Sequence, residues 1–165
     1  MDVHSVILEC DWFVLGCQRL IKQLALYDTK SNRSFQYVFR FPKNLRTYAV
    51  YFDQQALESH HIPWNRNGFF HLRDVREAIQ TLSFLFRTGP VVFWAKGLEK
   101  ANVLSSYGLA VRNLEDIGCP HFDQLSSLEP TTTNKAKVFA NWFADEEDVD
   151  DSNDEDDVFN LPAEW

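Results

Sequence analysis

The sequence predicts a mixed α/β domain on a single sheet, antiparallel at the start of the chain and parallel beyond it. Three features carry that reading. Three strand-like segments succeed one another over short connections between Val3 and Phe41. A helical repeat of apolar residues then fills 71–89. Past it, an apolar run, a short helical stretch and a second apolar run follow in turn as far as Asp116. Strands joined by tight connections pair antiparallel, whereas strands separated by a helix cross over, lie parallel and connect with a right-handed sense.

Each element has its own warrant. Val3 to Val14 is rich in Val, Ile, Leu, Phe and Trp, the residues that fit a pleated surface. Gly16 and Cys17 interrupt it, and “LIKQLALYDT” (Leu20 to Thr29) follows as a second strand. “KSNRS” (Lys30 to Ser34) has turn chemistry. Phe35, Tyr37, Phe39 and Phe41 then alternate with Gln36, Val38 and Arg40, a period of two that marks a half-buried third strand ended by Pro42. “NLRTYAVYFDQQALESHH” reads as a helix. In 71–89, Leu72, Val75, Ile79, Leu82 and Phe86 recur at helical spacing, Arg73 and Glu77 stand one turn apart, and Gly89–Pro90 is a stop signal. “VVFWAKG” reads as a short buried strand, “LEKANVLSS” as a short helix, “LAVRNLED” as a strand, and Asn134 to Ala144 as a last helix.

A chain of 165 residues with 45% apolar and 15% aromatic residues can bury one core of its own. No apolar run reaches the roughly 18 residues that would span a bilayer, and nothing resembles a secretory leader. Cys10, Cys17 and Cys119 are odd in number and far apart, which argues against a disulfide framework. An intracellular protein, cytoplasmic or nuclear, is expected. The net charge of −8 is unevenly spread. Eleven of the 24 acids lie from Asp145 onward, with no Lys or Arg, leaving 13 acids against 16 bases before them. The expected organisation is a mildly basic domain over 1–144 and a disordered acidic tail over 145–165, since a dense block of like charge repels itself.

Several short motifs go further. “ILECDWF” is followed by “IKQLALYD”; “HHIPW” spans His60 to Trp64; “VVFWAKGLEKANVLSSYGLAVRNLEDIGCP” ends at Pro120. In this order they resemble the RNase H-like fold and, within it, the DEDDh-type 3′–5′ exonuclease superfamily, closest to an uncharacterised exonuclease-like branch. The likeness covers about Val3 to Pro120. It implies Asp-x-Glu on the first strand, a second Asp at a later helix start, and His and Asp on the last helix, around magnesium or manganese. Here the first strand reads Glu9-Cys10-Asp11, Glu99 stands after the “AKGL” turn, and “NKAKVFANWF” has neither His nor Asp.

Such nucleases hold two divalent ions about 3.5–4 Å apart, one to activate water and one to stabilise the leaving oxygen. Glu9 and Asp11 are two apart on a strand and so share a face, with about 6.6 Å between their α-carbons. Glu99 is the candidate to join them, and hard oxygen donors suit magnesium or manganese. The plainer reading makes Glu9 and Asp11 solvated strand-end carboxylates and Glu99 an acid favoured by the helix dipole. The absent base weighs on the same side, because a positioned general base is worth about 10²–10⁴-fold. His60 and His61 are expected in a loop away from its position. Cys119 and His121 in “GCPHFD” lack the paired partners of a closed zinc site.

Lys96, Lys100, Arg73 and Arg76, with Arg66 nearby and Trp64, Phe69 and Phe70 interleaved, are candidates for contacting single-stranded nucleic acid. The plainer reading, a solvated face over an aromatic core, is the favoured one for them. The acidic tail carries Val158, Phe159, Leu161 and Trp165 and resembles the tails of single-stranded DNA-binding proteins. That likeness implies competition with nucleic acid and docking on a protein partner through Phe159, Leu161 and Trp165. The expected function is a degenerate exonuclease-like domain acting as a binding or adaptor module. An active magnesium- or manganese-dependent exonuclease and a structural part of a larger assembly are the alternatives.

Overall fold

The computed structural model describes residues 3–84 and 89–156. Three strands come first: β1 (His4–Leu15), β2 (Gln18–Asp28) and β3 (Ser34–Arg40). Then follow α1 (Ala49–Glu58), β4 (Phe70–His71), α2 (Val75–Thr81), β5 (Val91–Ala95), α3 (Leu98–Ser105), β6 (Val111–Asn113), α4 (Phe122–Leu125) and α5 (Thr132–Asp156). The strands form one mixed sheet in the order β4-β3-β2-β1-β5-β6. β1, β2 and β3 pair antiparallel, and β5 and β6 add parallel to β1. The expected α/β class, with an antiparallel start and parallel crossovers, is what the chain adopts. No described helix is long and apolar enough to cross a membrane.

Alternation along β1 explains the layers. Val6, Leu8 and Cys10 face one side, where Val75 and Ile79 of α2 and Ala101 and Leu104 of α3 pack on them. Ile7 faces the other, against Phe139, Ala140 and Phe143 of α5. Those three α5 residues, with Ala136, recur at three- and four-residue spacing, which is why this helix lies flat on the sheet. Phe13, near the far end of β1, packs with Phe41 and with Phe52 and Ala56 of α1 in a third cluster.

Several expectations change in detail. The helix expected over 71–89 is broken: Leu72–Asp74 and Leu82–Phe84 wind as 3₁₀ turns around α2, and Phe86 lies outside the described residues. Among those residues Arg73 and Glu77 form no ion pair. The strand expected over “LAVRNLED” stops at Asn113, because its Oδ1 accepts from the Glu115 amide at 3.0 Å and turns the chain into a 3₁₀ turn. The last helix does not stop at Ala144 but continues to Asp156. β4, pairing Phe70 and His71 with Phe39 and Arg40, is too short to show a period. Gly68 lets this segment reach the sheet, since a Cβ there would stand 2.2 Å from the Val38 carbonyl oxygen.

Candidate functional site

β5 ends at Ala95, opposite Leu8, so β1 outruns its parallel neighbour from Glu9 onward. In open α/β sheets, ligands bind beyond such carboxyl ends, where neighbouring connections diverge. A pocket of about 330 Å³ opens here, lined by Asp11, His60, His61, Lys100, Glu129 and Lys135 among others. A bulge beside it sets the β2 side: Asp11 pairs with Gln23 and Trp12 with Ile21, leaving Lys22 as the extra residue.

Glu9 and Asp11 do share a face, as their spacing predicts, and both are buried, at 0% and 8% exposure. Each has met a lysine. The Lys100 ammonium lies against Glu9 Oε1, and Lys135 Nζ is 3.7 Å from Asp11 Oδ1. Thr132, at the start of α5, donates its hydroxyl to Asp11 Oδ2 at 2.6 Å and also touches Gln23 Oε1 at 2.9 Å. Glu9 Oε2 is buried with no hydrogen-bond partner among the described residues. Burial, then repulsion from Lys135, brings the Lys100 amine down from its ordinary 10.5 to about 7.

Glu99 does not join this pair. It is 62% exposed on the other side of the α3 N-terminus, where Arg19 Nη2 and Nε donate to its Oε1 at 2.6 and 3.0 Å. The residue that α3 turns toward Glu9 is the next one, Lys100. Lys96 is no free cation either: it donates to the Cys119 carbonyl at 2.8 Å and pairs with Glu115 at 3.1 Å, fixing the turn before α3. Arg73 and Arg76 lie elsewhere, in a separate cleft. The four cations expected to act together are therefore split among three places. Phe159, Leu161 and Trp165 lie outside the described residues.

His60 and His61 come closer than expected, because the chain after α1 folds back onto β1. Both line the pocket with Asp11. His60 is held as a neutral ring, its Nε2 donating to the Trp12 carbonyl at 3.1 Å and its Nδ1 accepting from the Ile62 amide at 3.0 Å. Burial lowers its basicity, against an opposing pull from Asp11. Neither ring nitrogen is left to take a proton from water. His61 is exposed, at a positive φ of 59°. Cys10 is sealed in the core, where burial and then the Asp11 charge raise its thiol far above the ordinary range. Cys119 is buried too, whereas Cys17 is exposed.

A pair of divalent ions does not fit this donor set. Glu9 and Asp11 are each matched by an ammonium group, so the two strand carboxylates together offer an ion no net negative charge. Unit charges 4 Å apart repel by roughly 4 kcal/mol at an effective dielectric constant of 20, and a divalent ion would meet twice that from each lysine. Among the described residues no group of three or more His, Cys, Asp or Glu is placed to hold a metal. Neither a family model nor any curated protein matches the chain.

Proposed function

We propose that this chain is an RNase H-like, exonuclease-like domain that has given up metal-dependent cutting and works as a binding or adaptor module. One observation carries the reading: a lysine ammonium, Lys100, lies on the buried strand carboxylate Glu9 where the resemblance would put a cation. The mixed sheet, with its antiparallel start and parallel additions beside β1, supports the RNase H-like part. Asp11 is likewise committed, to Thr132 and Lys135. His60, the half-buried imidazole on the pocket wall, has both nitrogens engaged. The module's partners would be a protein, met through Phe159, Leu161 and Trp165, and single-stranded nucleic acid.

The competing reading, an active exonuclease, draws support from His61, an exposed imidazole on the same pocket wall as Asp11. An end-labelled single strand, DNA or RNA, incubated with the chain and magnesium or manganese separates the two. No release of label is expected. Release that Asp11→Asn abolishes would overturn the proposal.

A further inference from the structure

A second cleft, of about 420 Å³, opens between the β1–β2 hairpin tip, the start of α2 and the end of α3. It shares no lining residue with the carboxylate pocket. Three arginines, Arg19, Arg73 and Arg76, stand on its walls, and no Asp or Glu does. Arg73 and Arg76 are three residues apart in a helical stretch and so project from one face. Among the described residues neither is in an ion pair. Arg76 is set over the Tyr107 ring, 5.2 Å from its centroid, which orients the guanidinium. Arg19 comes from the facing hairpin and ties it to α3 through Glu99, a residue outside the cleft walls.

Positive groups gathered in a concave surface focus the field on an incoming anion, and guanidinium forks match phosphate oxygens two at a time. Leu72, Val75 and Val103 supply apolar wall beside the arginines. The volume falls within the range of small-molecule pockets, about 300–1,000 Å³. The geometry points to a phosphate-binding cleft that takes a nucleotide, either free or as a unit of a single strand. It does not rest on the loss of cutting proposed above, since it involves none of the same residues.

The test is fluorescence anisotropy with a short fluorescein-labelled oligothymidylate, made with and without a terminal phosphate, and with adenosine monophosphate and inorganic phosphate as competitors. The full chain is compared with Arg73→Gln/Arg76→Gln and with Arg46→Gln/Arg112→Gln, which removes the same charge outside the cleft. The strand is expected to bind, the first variant to weaken it at least about tenfold, as loss of charge-assisted hydrogen bonds does, and the second to leave it unchanged. Competition by adenosine monophosphate would assign the cleft to free nucleotides, and strand binding without that competition to the polymer. Equal weakening by both variants would overturn the proposal, showing only general attraction to positive charge. Failure of every probe to bind would overturn it as well.

Discussion

The Lys100 ammonium rests on the carboxylate of Glu9, a residue with no solvent exposure at all. Taking one partner away strands the other charge in the interior, which costs about 3–5 kcal/mol, whereas replacing a buried pair by apolar residues of similar volume is often neutral. Lys100→Met alone is therefore expected to lower the urea midpoint strongly. Glu9→Leu/Lys100→Met should recover most of the loss. A single variant as stable as wild type would show that the contact bears no charge.

Thr132 ties the start of α5 to β1 through Asp11. Thr132→Val keeps the shape but removes the donor, leaving a buried carboxylate oxygen short of one bond. A loss of about 1–3 kcal/mol is expected, with Thr132→Ser retaining most of the stability. Thermal unfolding of the two variants checks this. Equal melting temperatures for Val and Ser would contradict it.

Lys22, the bulge residue, is fully buried and donates to the carbonyls of Phe39 at 2.8 Å and Arg66 at 2.6 Å. Burial, then repulsion from Arg66, lowers its amine from 10.5 to about 8. The unfolded chain thus holds more protons than the folded one between those values, and stability rises with pH across that window. Lys22→Met should flatten the rise by up to one proton, or about 1.4 kcal/mol per pH unit. Denaturation midpoints from pH 7 to 10.5 read the slope directly, and an unchanged slope would contradict the assignment.

Gly68 is pressed against β3, where an added Cβ would meet the Val38 oxygen at 2.2 Å and the Arg40 nitrogen at 2.9 Å. Both are backbone atoms and cannot rotate away. Gly68→Ala is expected to cost about 3 kcal/mol, the upper end of ordinary overpacking. Because Arg66 supplies a carbonyl to Lys22, the same variant should also loosen that lysine. Hydrogen exchange at Arg40 and Phe41 would report the change, and unaltered protection would contradict it.

The sheet was legible because its signals are local. Alternation at Phe35 to Phe41 and the short turns around Gly16 and Lys30 are properties of neighbouring residues, and the strand–helix–strand order after Gly89 forces parallel pairing. That Glu9 and Asp11 share a face also follows from a period of two. The choice between Glu99 and Lys100 did not follow from spacing. Adjacent helical residues point about 100° apart, and which one meets β1 depends on how α3 docks. Thr132 and Lys135 reach Asp11 only because α5 crosses the sheet, a contact without a local signature. One clue stood in plain view: Lys22 interrupts the apolar “LIKQLALYD” run, and a charge inside a central strand marks an irregularity such as the bulge found there.

The most direct measurement is calorimetric titration of manganese into wild type, Lys100→Asp, and Glu9→Gln/Asp11→Asn. If Lys100 stands in a cation's place, wild type takes up no manganese, and Lys100→Asp, which frees both Glu9 oxygens and adds a third carboxylate, gains binding. Manganese uptake by wild type that disappears in Glu9→Gln/Asp11→Asn would contradict the central claim and make the two strand carboxylates a working metal site.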